Sequence, residues 1–278
     1  MQTPTTTSCK VITSAGESII YDESLIASPT DELFSSDYHT KNALQQNESA
    51  DDIRRAGIGR APVRYFRHPG HEHDRQHDMA LVYKHYYRGG MVARFLKDQY
   101  ITSGYAETRA FREYYMLKQL EAWQLPVPVA VAARAVHVLP LLPVYRCDLI
   151  TREIADVSTL ADVLQAARLD DIGWQRVGAC IRRFHDKGVY HADLNARNIL
   201  LGNDAAGDGE ADKVYLIDFD NGHIRCEPED EGQNEIGGWK AANLARLRRS
   251  LNKFCRRSPG FHFADDDWQQ LLYGYNAL

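Results

Sequence analysis

The most informative segment of this chain is His191-Ala192-Asp193-Leu194-Asn195-Ala196-Arg197-Asn198. It follows a stretch in which apolar residues recur at helical spacing, and it precedes the apolar run Ile199-Leu200-Leu201. Asp218 stands twenty residues after Asn198, within Leu216-Ile217-Asp218-Phe219-Asp220. The chain therefore carries H-x-D-L-x-x-x-N in a loop before one short strand and D-F-x at the end of another.

This order and spacing match the catalytic loop and metal-binding strand of the protein-kinase-like fold. Phosphoryl transfer requires positioning and charge neutralisation more than covalent chemistry. Asp193 fits the catalytic carboxylate that orients the acceptor hydroxyl and takes its proton, whereas His191 is interpreted as structural. Asn198 and Asp218 supply the oxygen ligands that Mg²⁺ prefers against the triphosphate of ATP. The alternative, that Asp and Asn only cap turns here, leaves the joint match of types and spacings unexplained.

Two residues of the first half are candidates for holding ATP. Lys84 lies near the end of a predicted strand, and Glu113 lies on a predicted helix, four and seven positions before Leu117 and Leu120. Glu113 therefore shares their apolar stripe. A buried acid requires a cationic partner, so we predict an ion pair with Lys84. Taken alone, both could be surface charges, and it is the downstream motif that favours the pair.

The segment Gly57-Ile58-Gly59 precedes the first clear strand. Glycines let backbone amides approach phosphate oxygens because no side chain intervenes. A lone G-x-G is a weak signal, so a phosphate-covering loop at Gly57 and Gly59 and an ordinary loop stay open as alternatives.

Periodicity along the 278 residues predicts a strand-rich first half and a helix-rich second half, and hence two lobes. Together with the loop motif this predicts an α+β, two-lobed protein-kinase-like fold. We expect residues 1–15 to be frayed, residues 16–154 to form a β-rich, nucleotide-binding N-lobe, and residues 155–278 to form a mainly helical, catalytic and substrate-binding C-lobe. The predicted strands are 63–67, 79–84, 129–137, 149–154, 199–201 and 214–219. The predicted helices are 108–123, 159–167, 172–187 and 241–257, with a weak helix within 31–52.

Composition is close to that of an average globular protein, with 44% hydrophobic and 26% charged residues. The net charge of −5 argues against nucleic acid as a partner. The five cysteines are too scattered for a zinc or CxxC pattern, which favours a reducing, cytosolic compartment. We expect no signal peptide and no membrane span, since the stretch 127–145 contains Arg134 and three prolines.

The chain resembles bacterial 3-deoxy-D-manno-octulosonic acid (Kdo) kinases, within the lipopolysaccharide kinase group. The segments that carry the resemblance are KHYYRGG at 84–90, LPVP at 125–128, HADLNARNILL at 191–201, LIDFD at 216–220, and WK at 239–240 with NLARLRRS at 243–250. The resemblance implies an enzyme that uses ATP and Mg²⁺ to phosphorylate the Kdo sugar of Kdo-lipid IVA, at the O4 hydroxyl. It further implies a peripheral location on the cytoplasmic side of the bacterial inner membrane, and it does not imply a protein partner. In the family the loop aspartate, here Asp193, is the active-site residue, and the position of Lys84 can also be Arg.

Two positions depart from ordinary protein kinases. Asp220 replaces the glycine of D-F-G, and Asn195 stands where protein kinases place a lysine. Because no A-P-E motif follows either, a glycolipid or small-molecule acceptor is favoured over a protein. A heptose or aminoglycoside kinase of the same fold is the nearest alternative, since the catalytic parts are shared. A catalytically inactive kinase-like binding module is the alternative of another class, but it predicts the loss of a metal ligand.

Two surfaces are candidates for substrate or membrane contact. The helix 241–257 carries an apolar stripe and an adjacent basic stripe, which is formed by Arg246, Arg249, Lys253 and Arg256 with Arg248 and Arg257 beside them. This stripe could bind an anionic inner-membrane surface and the acidic glycolipid, with Arg248 and Arg249 as substrate residues, or it could be a solvated face. Tyr86, Tyr87 and Arg88, before a glycine pair, could contact the sugar or could form a packed strand end.

A histidine cluster lies at 68–77, with His68, His71, His73 and His77 beside acidic residues. A metal site is possible there because histidine is a common ligand, but the adjacent Pro-Gly pair favours an exposed hairpin tip.

Overall fold

The computed structural model describes residues 8–43, 63–69, 78–86, 100–101, 104–139, 142–202, 213–225 and 238–277. The chain divides into two units, Met1–Gln119 with Val129–Glu153, and Leu120–Pro128 with Ile154–Leu278. The segment Leu120–Pro128, which we predict for the N-lobe, belongs to the second unit. It is held there by backbone hydrogen bonding, since the Leu216 N–H donates to the Pro126 carbonyl at 3.1 Å.

Seven strands of the described residues form one antiparallel sheet in the first unit. The strands in sheet order are β1 (Cys9–Ser14), β2 (Glu17–Asp22), β6 (Ala130–Leu139), β7 (Leu142–Arg152), β4 (Met79–His85) and β3 (Arg64–His68), and β5 (Tyr100–Ile101) also pairs with β7. Side chains alternate between the two faces of a strand, so Met79, Leu81 and Tyr83 of β4 all point into the core.

The β1 strand corrects the expectation that residues 1–15 are frayed. Cys9–Ser14 pairs in register with Glu17–Asp22, although residues 1–7 lie outside the described part of the chain. Val11, Ile12 and Thr13 are β-branched and favour a strand. Gly16 has a φ of +90°, a left-handed conformation that glycine adopts without steric cost and that permits the tight turn between the two strands.

The core of the first unit lies against the sheet. Its buried members are Ile19, Tyr21, Ile26, Leu33, Phe34, Phe66, Met79, Leu81, Tyr83, Val131, Ala132 and Ile150. Where we predict a weak helix, the structure forms a 3₁₀ turn at Asp31–Phe34 followed by the short helix α1 (Ser36–Lys41). The predicted helix 108–123 is α2 (Arg109–Ala122), which buries Phe111, Tyr114 and Leu117.

The second unit is mainly helical. Its elements are β8 (Val157–Thr159), α3 (Leu160–Ala166), α4 (Asp171–Asp186), β9 (Val189–Tyr190), β10 (Ile199–Gly202), β11 (Val214–Leu216), β12 (His223–Ile224), α5 (Gly238–Arg257) and α6 (Asp265–Asn276). The short strands form two small antiparallel sheets, β11-β10-β8 and β12-β9. The α4 helix begins where predicted because the Asp170 side chain accepts the Gly173 N–H at 2.8 Å.

Helices α4 and α6 pack through glycines. A Cβ built on Gly178 would lie 2.0 Å from the Leu271 carbonyl oxygen, and one on Gly274 would lie 2.0 Å from the Gln175 carbonyl oxygen. The two backbones therefore approach more closely than any larger residue allows. The α6 helix is absent from our predictions, although three successive acidic residues at its start, Asp265–Asp267, favour a helix N-terminus.

None of the helices in the described ranges combines the length and the apolar character needed to cross a bilayer.

Candidate active site

The predicted catalytic loop follows β9 and is anchored by His191, which is 2% exposed. The His191 Nδ1 accepts the backbone N–H of Asp193 at 3.2 Å. The imidazole is therefore the Nε2–H tautomer, and Nε2 donates to the Ile217 carbonyl at 2.9 Å. This side chain links the loop to the segment that carries Asp218, which agrees with a structural role for His191.

Asn198 and Asp218 lie at the same end of two paired strands. β10 and β11 are antiparallel with Ile199 opposite Leu216, so the residue just before β10 and the residues just after β11 are neighbours. The Asn198 carbonyl accepts the Ile217 N–H at 3.0 Å. Asp218 has a φ of +66°, an uncommon and strained conformation for a residue with a side chain. Strain of this kind concentrates at functional sites.

The Asp193 carboxylate is half-exposed and held from within the loop. The Asn195 amide nitrogen lies 3.0 Å from Asp193 Oδ2 and 2.9 Å from the Asp193 carbonyl oxygen, and it donates to both. Arg246 of α5 brings a guanidinium nitrogen to 4.0 Å from Asp193 Oδ1. A carboxylate that is oriented by the loop and open to solvent is suited to accept a proton from an incoming hydroxyl.

The oxygen donors of Asn198 and Asp218 suit a hard cation such as Mg²⁺. Asn198 is 1% exposed, and its amide nitrogen donates to the Asp193 carbonyl at 2.8 Å. This bond fixes the orientation of the amide and turns its oxygen away from that carbonyl. Mg²⁺ at kinase sites is bound by one or two such side chains together with substrate phosphates, so the residues present fit this ion.

The predicted ion pair between Lys84 and Glu113 is present in the first unit. Lys84 Nζ lies 2.8 Å from Glu113 Oε2 and 3.1 Å from Oε1. The Tyr86 hydroxyl donates to Glu113 Oε2 at 2.5 Å, and the Lys84 ammonium lies 4.7 Å from the centroid of the Tyr86 ring. The Glu113 side chain is 3% exposed against 27% for Lys84, so the lysine is the member of the pair that solvent and ligands can reach.

The structure describes only some of the residues that we predict to contact the nucleotide or the substrate. Gly57, Gly59, Tyr87 and Arg88 lie outside the described residues. Of the predicted substrate residues that are described, Tyr86 is buried with its hydroxyl on the acid of α2, and Arg249 is exposed. Arg248 donates to Asp265 at 2.8 Å and lies over the Trp268 ring.

The predicted histidine cluster is described only at its first member. His68 Nδ1 and the Tyr38 hydroxyl are 2.7 Å apart, and burial lowers the pKa of His68. His71, His73 and His77 lie outside the described residues. Within the part of the chain that the structure describes, no three His, Cys, Asp or Glu side chains form a group that could hold a metal ion.

A buried polar chain behind the catalytic loop is absent from our predictions. The Tyr275 hydroxyl donates to His185 Nδ1 at 2.8 Å, His185 Nε2 donates to Asn243 Oδ1 at 3.1 Å, and the Asn243 amide donates to the His191 carbonyl at 2.7 Å. Burial lowers the pKa of His185 to about 4, against the raising effect of the bond to Asn243. Asn243 stands four residues before Leu247 on the apolar stripe of α5. A polar residue on an apolar stripe indicates a buried hydrogen bond, and this is the sequence signal that could have revealed the chain.

Known proteins match most of this chain. The model of the lipopolysaccharide kinase (Kdo/WaaP) family matches residues 67–275. The 3-deoxy-D-manno-octulosonic acid kinase of Actinobacillus succinogenes is 38% identical over 69% of this chain and 73% of its own length. That of Photobacterium profundum is 38% identical over 71% and 75%, and that of Vibrio vulnificus is 32% identical over 93% and 94%.

Among solved structures, one described as WaaP in complex with acyl carrier protein matches 84% of each chain, with 17% identity and a TM-score of 0.47. The family match covers both units of this chain, and it confirms the α+β, protein-kinase-like fold that the catalytic loop predicts. The chain belongs to the lipopolysaccharide kinase (Kdo/WaaP) family.

Proposed function

We propose that this chain transfers the terminal phosphoryl group of ATP to the Kdo sugar of Kdo-lipid IVA, at the O4 hydroxyl. It is a phosphotransferase, because the family is one of kinases and its curated relatives are named Kdo kinases. The observation that carries the proposal is the loop geometry. The Asp193 carboxylate is half-exposed, and the Asn198 amide donates to the Asp193 backbone carbonyl. Asn198 lies just before β10 and Asp218 lies just after β11, at the same end of these two paired strands.

In the proposed reaction Asp193 orients the acceptor hydroxyl and receives its proton. The hydroxyl oxygen attacks the terminal phosphorus in line, the bond to the bridging oxygen breaks, and ADP leaves with that electron pair. Asn195 keeps the Asp193 carboxylate oriented through its amide. Such proton transfer contributes about 10²- to 10⁴-fold to the rate.

Asn198 and Asp218 are the residues that would hold Mg²⁺, which when bound neutralises charge on the triphosphate. In the first unit Lys84 is the proposed cation for the nucleotide phosphates. Its ammonium is positioned by Glu113 and by the ring of Tyr86. A lysine held in this way presents a compact charge that suits phosphate oxygens.

The decisive experiment is an ATP-consumption assay with Kdo-lipid IVA. We expect turnover by the wild type and a loss of about 10²-fold or more in Asp193→Asn. Asp186→Asn is the matched control, because Asp186 is an exposed acid of the same unit that pairs with Arg182. Phosphorus and proton NMR of the product identifies the modified hydroxyl. Turnover on an aminoglycoside or a heptose but not on Kdo-lipid IVA would select the alternative kinases instead.

We further propose that the enzyme associates peripherally with the cytoplasmic side of the inner membrane. The exposed arginines of α5, Arg249, Arg256 and Arg257, support this. Each cation near an anionic surface contributes about 1 kcal/mol, so replacing all three should weaken vesicle binding by about 100-fold. The assay is sedimentation with anionic phosphatidylglycerol vesicles, with Arg168 and Lys187 replaced as the control. Unchanged sedimentation of the triple variant would exclude this surface.

A further inference from the structure

The catalytic loop holds its carboxylate through the side-chain amide of Asn195. At the position where protein kinases place a lysine this chain has Asn195, whose amide donates to Asp193. The arginine of the loop, Arg197, lies over the ring of Phe254 in α5, with its guanidinium carbon 5.4 Å from the ring centroid. A cation from outside the loop also lies beside Asp193, because a guanidinium nitrogen of Arg246 in α5 is 4.0 Å from Asp193 Oδ1.

The position of Arg246 is set by the register of α5 on the loop. Asn243 and Ser250 lie three residues before it and four residues after it, so all three share one face of the helix. The Asn243 amide donates to the His191 carbonyl at 2.7 Å. The Ser250 hydroxyl accepts the backbone N–H of Ala196 at 3.4 Å. These contacts attach α5 to the loop on both sides of Asp193 and direct Arg246 toward the carboxylate between them.

The pair of Arg246 and Asp193 contributes little to the stability of the fold. Its side chains are 43% and 48% exposed, and the separation is at the limit of an ion pair. A guanidinium in this setting retains donors for other acceptors, and its planar fork fits carboxylate and phosphate oxygens. The proposed reaction brings anionic substrate oxygens close to the Asp193 carboxylate. These negative charges would repel one another without a cation beside them.

We propose that Arg246 is a further catalytic residue, which binds an anionic oxygen group of a substrate beside Asp193. This inference rests on the proposed function. Two groups have the required chemistry: the terminal phosphoryl group of ATP and the carboxylate of the acidic sugar. Arg246 supplies from α5 the positive charge that Asn195 does not supply from the loop.

The test is steady-state kinetics of Arg246→Ala, Arg246→Lys and the wild type with ATP and Kdo-lipid IVA. We expect Arg246→Ala to lower kcat, or kcat/KM for one substrate, by about tenfold or more. Its melting temperature should match the wild type, and Arg246→Lys should recover part of the loss because the charge is retained. Arg168→Ala, which removes an exposed arginine from the connection between α3 and α4, serves as the control.

An acceptor whose sugar carboxylate has been converted to the amide shows which of the two groups, the sugar carboxylate or the phosphoryl group of ATP, Arg246 binds. If Arg246 binds that carboxylate, the difference between the wild type and Arg246→Ala disappears with the amide. If it binds the phosphoryl group, the difference persists and appears in kcat or in KM for ATP. An active wild type with an Arg246→Ala variant unchanged in kcat and in both KM values overturns this inference alone. A wild type without turnover on Kdo-lipid IVA overturns the proposed function and this inference with it.

Discussion

Acidification should destabilise the second unit through His185. This side chain is 1% exposed and lies between the Tyr275 hydroxyl and the Asn243 amide. Because Asn243 uses its nitrogen for the His191 carbonyl, its oxygen accepts from His185, and the other ring nitrogen accepts from Tyr275. The imidazole therefore has its full set of partners in the neutral form, and burial holds its pKa at about 4 rather than the ordinary 6.5.

The depressed pKa sets both the direction and the size of the effect. When the pH falls below 6.5, the unfolded chain binds a proton at His185 before the folded protein does, so the free energy of unfolding decreases. The stabilisation is complete above that pH and is lost progressively as the pH approaches the folded pKa of about 4. The loss from this residue is about 2 kcal/mol at pH 5 and about 3 kcal/mol in total.

Urea unfolding of the wild type and His185→Gln at about pH 7.5 and about pH 5 measures this effect. Other histidines contribute to the overall pH dependence, since burial also lowers the pKa of His39 and of His68. The difference in stability between the two proteins isolates His185. The wild type should be the more stable at the higher pH, and its advantage should shrink by about 2 kcal/mol at the lower pH. An advantage that stays constant within about 0.5 kcal/mol would refute the reasoning.

Three further substitutions test the packing and the proposed nucleotide site. Lys118→Met leaves the buried Asp22 carboxylate, 2.6 Å from Lys118 Nζ, without that cation; urea unfolding should show a loss of about 3–5 kcal/mol, and a smaller loss than about 1 kcal/mol would contradict a buried pair. Gly178→Ala places a Cβ 2.0 Å from a carbonyl oxygen of α6; it should cost about 1–3 kcal/mol, and an unchanged melting temperature would contradict the close packing. Glu113→Gln removes the charge that holds Lys84; kcat/KM for ATP should fall about tenfold, whereas an unchanged value would argue against the proposed role of Lys84.

Much of the second unit could be predicted because its signals are local. The helix predicted at 172–187 is α4 (Asp171–Asp186), and the helix predicted at 241–257 is α5 (Gly238–Arg257). Apolar residues repeat in both at the period of a helix. The ion pair of Lys84 and Glu113 could be predicted as well, since an acid on an apolar stripe requires a cation. The β1 strand was missed because it is short and its apolar residues Val11 and Ile12 are adjacent, which gives no clear alternation.

The residues behind and beside the catalytic loop could not be predicted in this way. Their hydrogen bonds join positions far apart in the chain, such as His185 with Tyr275 and His191 with Asn243. Arg246 looks in the sequence like any member of a basic stripe. Its place beside Asp193 depends on which turn of α5 faces the loop, and hence on how the helices of the second unit pack.

The amino-acid sequence by itself determined the kinase-like fold, the order of most helices and strands, and the loop motif in which we propose roles for Asp193 and Asn198. Those features follow from periodicity and from motif spacing, which neighbouring residues express along one stretch of chain. Only the tertiary structure decided which side chains support the loop and which cation approaches its carboxylate. The physical reason is that a hydrogen bond or an ion pair depends on distances of a few ångströms, and packing brings residues to such distances whatever their separation in sequence.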